Sequence, residues 1–87
     1  MTYIVVIMPG IYYNLYVNSQ PPPNRLKIAR AESGLTQAEL AERVGVARQT
    51  IGLIEAGRYN PTLKLCLKLA RVTNKTLDEL FGEQGAR

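Results

Sequence analysis

Apolar positions change their period once along the chain. Up to Val17 they form short unbroken runs, Tyr3 to Met8, Ile11 to Tyr13 and Leu15 to Val17, mostly β-branched or aromatic and split by Pro9-Gly10. Such runs favour extended backbone, and the Pro-Gly pair favours a turn, which predicts a β-hairpin or strand arm. Pro21, Pro22 and Pro23 follow as a semi-rigid spacer that neither strand nor helix can continue. From Asn24 onward the spacing is helical.

Five short helices are predicted there. Leu26, Ala29 and Arg30 share one side of a first helix, about Arg25 to Ser33, closed by Gly34 in a left-handed cap. Thr36 and Glu39 have the spacing of a capping box and Leu35 and Leu40 that of a hydrophobic staple. They open a second helix, about Gln37 to Val44, that buries Leu40, Ala41 and Val44 and ends at Gly45. A third, about Arg48 to Ala56, buries Ile51 and Ile54, with Val46 packing in the approach, and turns Arg48, Gln49, Gly52 and Leu53 outward. Thr62 caps a fourth in which Lys64, Lys68 and Arg71 mark the polar stripe. That leaves Leu63, Leu65, Cys66, Leu67, Leu69 and Ala70 for burial, so this helix is expected to be mostly enclosed. Asn74 can take the left-handed conformation after it, and Thr76 with Glu79 repeats the capping box to open a fifth helix through Phe81. The fold class is therefore mainly α, a five-helix domain over 24–87 preceded by a β arm and proline linker over 1–23.

Composition narrows the chemistry. Eighty-seven residues hold one small domain, and 46% hydrophobic with 21% charged residues is the balance of a chain that folds. One cysteine, Cys66, allows no internal disulfide, and the absence of histidine argues against a zinc site or a histidine base. No Gly-rich phosphate loop is present either, so the chain is read as no enzyme, with no cofactor and no metal, and Cys66 as a buried structural thiol. The net charge of +4 suggests a polyanionic partner. No Lys or Arg precedes Arg25, as a secretion signal would need, and no apolar run reaches the length of a membrane span, so no membrane partner is expected and the location is read as cytoplasmic. An uncharged strand edge recruits another chain, and pairing with a second copy would satisfy the arm. Packing of the arm on its own domain, or a misassigned start, are the alternatives.

The informative spacing is Ala41, Gly45, Ile51 and Ile54. Two helices joined by a tight turn approach closely only where the contact residue is small and the turn residue tolerates positive φ, which Ala41 and Gly45 provide. Ile51 and Ile54 would pin the second helix to the core. This predicts a helix-turn-helix. With these residues the segment "GLTQAELAERVGVARQTIGLIEAGRYNPTLKLCLKLA" resembles the lambda-repressor-like, Cro/C1 or Xre type of regulator, through Thr36-Gln37, Ala41, Gly45, Ile54-Glu55, Gly57 and Asn60-Pro61. The resemblance covers Asn24 to about Gly82.

That resemblance implies a partner, double-stranded DNA, usually bound by a dimer on a near-palindromic operator. It implies that Gln37 hydrogen-bonds a phosphate and that Arg48 and Gln49 read bases. Their chemistry suits the role, since arginine bonds guanine O6 and N7 and glutamine adenine N6 and N7. Gly52 and Leu53 share that face, Leu53 as a candidate for a thymine methyl, and Thr50 could reach a phosphate or base edge. Arg58, Tyr59 and Asn60 resemble a second phosphate cluster, with Arg25 and Arg43 as further candidates. Arg30 and Glu55 match a structural ion pair. The sequence departs from the family's pattern at Ala47, where relatives carry a capping Ser or Thr, at Gly52, which weakens the third helix, and in the arm. The function expected is a transcription regulator, a repressor acting as a homodimer. The alternative is an antitoxin-like protein that binds a protein partner through residues 1–20 and regulates its own gene through DNA.

Overall fold

The computed structural model describes residues 22–82, and the strands expected between Tyr3 and Val17 lie outside them. Five helices follow in order: α1 Leu26–Glu32, α2 Gln37–Val44, α3 Arg48–Glu55, α4 Leu63–Thr73 and α5 Leu77–Phe81.

Local chemistry accounts for most of the boundaries. Thr36 accepts the Glu39 N–H at 3.0 Å while Glu39 accepts the Thr36 N–H at 2.8 Å. Thr76 and Glu79 form the same reciprocal pair at 3.0 and 2.7 Å. Both carboxyls are held below the ordinary glutamate range, chiefly by the N–H of the capping residue. A depressed folded pKa gives stability that is present above the unfolded value, near 4.3, and lost as pH falls through the folded values. Acid unfolding of a Glu39→Gln, Glu79→Gln double variant, followed by circular dichroism below about pH 5, is therefore expected to be shallower than that of the parent. An unchanged slope would show that these boxes carry none of the acid sensitivity.

Gly45 closes α2 with a φ of 79°, so the chain reverses into α3 without strain. At the end of α3, Gly57 has a φ of 72°, and a Cβ there would fall 2.7 Å from Pro23 Cβ. The last proline of the spacer therefore lies against the domain. Asn24, at the expected boundary, is buried: its amide donates to the Ile54 carbonyl at 2.8 Å, and its Oδ1 accepts the Leu26 N–H at 3.0 Å. It starts α1 and ties it to α3.

The core is built from Leu26, Leu40, Ile51, Ile54, Leu69 and Leu80, each essentially without exposure, so every helix contributes to it. Ala41 and Val44 join them, and Val46 packs at the edge. The fourth helix is less enclosed than its composition suggests. Leu65, Leu69, Ala70 and Thr73 face inward, whereas Leu63 is 66% and Leu67 45% exposed. Residues two apart on a helix point about 200° from one another, so a run of leucines cannot bury on one face. Cys66 is half-buried rather than buried; its Sγ lies 3.9 Å from the Pro61 carbonyl, and partial burial pushes the thiol pKa up.

Ala47 precedes α3 in the extended conformation of an N-cap but offers no side-chain acceptor. Ala47→Ser is expected to stabilise the domain by about 0.5 to 1 kcal/mol, read from the urea midpoint, and to slow amide exchange within α3. A midpoint that stays in place would mean that the missing cap has no cost here.

Candidate nucleic-acid interface

The helix-turn-helix places the start of α3 beside the start of α2. Arg48, the first residue of α3, is exposed, and its Nη1 donates to Gln37 Oε1 at 3.0 Å. Gln37, the first residue of α2, is half-buried because its Nε2 donates in the other direction, to Glu55 Oε1 at 3.0 Å. Glu55 is held from α1: Arg30 Nε donates to Glu55 Oε2 at 2.6 Å and Nη2 to Oε1 at 3.3 Å, while Nη1 caps the Leu35 carbonyl at 2.9 Å. The two side chains are only 14% and 5% exposed. A paired charge at that depth is tolerated because, among the described residues, no buried side-chain nitrogen or oxygen is left without a hydrogen-bond partner.

Outward from this network, Gln49 is exposed and Leu53 is partly so, on the same helix as Arg48. Thr50 is half-buried, its N–H donating to the Ala47 carbonyl at 3.0 Å. Gly52 lies beside the Gln37 amide, where a Cβ would be 3.6 Å from Nε2. Arg58, Tyr59 and Asn60 are exposed in the loop after α3, and Arg43 is exposed in the last turn of α2. Arg25 stands apart: it lines a recess of about 290 Å³ between α1 and α5, with Ile28, Glu32, Lys75 and Glu79.

Two features were not read from the sequence. Lys64 and Lys68 of α4 line a shallow recess with Gly45, Val46 and Tyr59, placing two more cations beside the turn and the loop. The i, i+4 lysine pair was visible as a polar stripe, but nothing in the sequence said which elements it would face. The bond from Gln37 to Glu55 joins residues 18 apart and has no local signal at all. Among the described residues, no group of His, Cys, Asp and Glu could hold a metal ion, and no helix is long and apolar enough to cross a membrane.

A helix-turn-helix family model matches residues 26–80. Over 57 residues the chain is 53% identical to an HTH-type transcriptional regulator of Archaeoglobus fulgidus, covering 66% of this chain and 80% of the relative. The immunity repressor protein of Bacillus phage phi105 is 35% identical over 60 residues, covering 69% of this chain and 42% of the relative. Among solved structures, the restriction-modification controller protein C.AhdI from Aeromonas hydrophila matches with a TM-score of 0.59 and 36% identity, over 63% of this chain and 83% of that one. The turn between α2 and α3, the fold around it and these matches agree: the chain belongs to the Cro/C1 (Xre) type, lambda-repressor-like family of helix-turn-helix DNA-binding transcriptional regulators.

Proposed function

We propose that the chain is a sequence-specific repressor that binds double-stranded DNA as a homodimer on a near-palindromic operator. The observation that carries this reading is the pairing of exposed Arg48, at the start of α3, with Gln37, at the start of α2. In this reading α3 enters the major groove, where Arg48 and Gln49 meet base edges and Leu53 a thymine methyl. Gln37 and the free N–H groups at the start of α2 face a phosphate, because a helix N-terminus favours anions. Arg58, Tyr59 and Asn60 reach a second phosphate run, with Arg43, Thr50 and Arg25 as outer candidates. The repressor role is supported by the similarity to a phage immunity repressor.

Residues 1–23 are proposed as the dimerisation element, and the cytoplasm as the site of action. Sedimentation at micromolar concentration tests the first point, comparing the full chain with a truncation that starts at Pro22, since Pro23 packs on the domain. A dimer that becomes a monomer supports the arm, whereas equal masses move the dimer contact into the helices.

Selection of duplexes from a random pool tests the DNA reading. The expected product is two half-sites with centres roughly 34 Å apart, and a pool that yields no enriched sequence would overturn it. Within the bound complex, Arg58→Ala is expected to weaken selected and random duplexes alike and to reduce the slope of log affinity against log salt by about one unit. Loss confined to the selected site would move Arg58 to base reading.

A further inference from the structure

Glu55 does more in this arrangement than neutralise Arg30. Four side chains form one chain of hydrogen bonds, Arg30 to Glu55 to Gln37 to Arg48, running from the domain interior to an exposed guanidinium. Its polarity is fixed at both ends. A guanidinium can only donate and an ionised carboxylate can only accept, so the Gln37 amide is the one member able to face either way. Placed between an acceptor and a donor, it has one orientation that satisfies both. Reversed, it would set its oxygen against the Glu55 carboxylate and its N–H groups against Arg48.

We propose that Glu55 is a positioning residue for base reading: by fixing the orientation of the Gln37 amide, it holds the Arg48 guanidinium against the start of α2 before any DNA arrives. This rests on the reading of Arg48 as a base contact. Two observations support it. The Glu55 side chain is 5% exposed, so little water competes with Gln37 for its Oε1. Glu55 Oε2 is held by Arg30 Nε at 2.6 Å, which fixes the carboxylate that in turn fixes the amide. Gln37 also keeps its second Nε2 proton, the one not given to Glu55, for a DNA phosphate.

The consequence lies in the ordering of a long side chain. A free arginine loses rotamer entropy when it seats on a base, and an arginine already held loses less at that step. The interior carboxylate therefore contributes to discrimination between sequences although it touches no DNA.

The test uses the full chain and reads Arg48 directly, by the 15N order parameter of its Nε–H in the free protein. With the chain of bonds intact, Arg48 is expected to be ordered. In Glu55→Gln the new amide must turn its oxygen to Arg30, so its N–H groups face Gln37, the Gln37 amide reverses, and Arg48 meets donors. Its order parameter is then expected to fall below about 0.6, and preference for the selected duplex over random DNA to fall about tenfold. Adding Gln37→Glu to that protein supplies a carboxylate at α2 that accepts from both the amide at position 55 and Arg48. Order at Arg48 should return while stability does not, because Arg30 still faces a neutral group, and a purely structural role for Glu55 predicts no such return.

Gln37→Leu keeps the test decisive should Glu55→Gln fail to fold. It removes the acceptor without touching the Arg30 pair and must free Arg48 to the same degree. An Arg48 that stays ordered in either single variant, or stays mobile in the double variant, overturns the proposal. Absence of any preferred duplex for the parent protein overturns the base-reading role of Arg48 instead, and the order parameters still decide whether Glu55 holds it.

Discussion

Replacing Glu55 with alanine will lower the unfolding free energy by about 3 to 5 kcal/mol. The loss does not measure the strength of the pair. It measures what is left behind: Arg30, 14% exposed, would keep its charge and its single bond to the Leu35 carbonyl but lose both bonds to carboxylate oxygens. Gln37 would lose its acceptor in the same change. A domain of this size has a total stability of about 5 kcal/mol, so the variant should be largely unfolded in moderate urea and near its melting point at body temperature. Replacing both partners, as in an Arg30→Met, Glu55→Leu protein, should recover most of the loss, because no charge then remains unpaired. Urea titrations of the three proteins decide the matter. A loss under about 1 kcal/mol for Glu55→Ala would place the pair among exposed ion pairs.

Arg48→Ala is expected to cost about 1 to 3 kcal/mol on the selected duplex and much less on random DNA. Arg48 sits in the exposed first turn of α3, and its hydrogen bond goes to Gln37 rather than into the core, so the folded state should survive the change. The side chain offers two parallel donors to the acceptors on a guanine edge, which lysine cannot match, so Arg48→Lys should restore little. Affinity measured on both duplexes at one salt concentration gives the answer. Equal losses on the two would make Arg48 a phosphate contact and shift base reading toward Gln49.

Local rules carried the helix boundaries a long way. Thr36 with Glu39 and Thr76 with Glu79 announced two helix starts that the structure places at Gln37 and Leu77. Expected and observed ends of α1 and α3 differ by one residue, because Arg25, Ser33 and Ala56 are caps rather than helical residues. Asn74 takes the left-handed conformation foreseen for it, with a φ of 58°. The candidate residues Arg48 and Gln49 were legible for a similar reason: once Ile51 and Ile54 are assigned inward, helical geometry turns the first residues of α3 outward.

Burial was less legible where a helix is apolar on several sides. Leu63 and Leu67 of α4 look like core in the sequence, and only the placement of the other helices shows that Leu65, Leu69 and Ala70 meet them instead. Asn24 marked the expected start of the domain but gave no hint that its amide would reach the Ile54 carbonyl, 30 residues away.

The sequence by itself determined the number and order of helices in the domain, the N-caps of α2, α4 and α5, the tight turn at Gly45 and the chemical identity of the outward face of α3. Each of these depends on residues within a turn or two of one another, where spacing and side-chain type set the geometry. Tertiary structure alone decided which side of α4 is covered, where Arg25 stands, and that a carboxylate at position 55 fixes an amide at position 37 that holds a guanidinium at position 48. Those contacts exist only because three helices converge, and a hydrogen-bond chain across them leaves no periodic trace in the sequence.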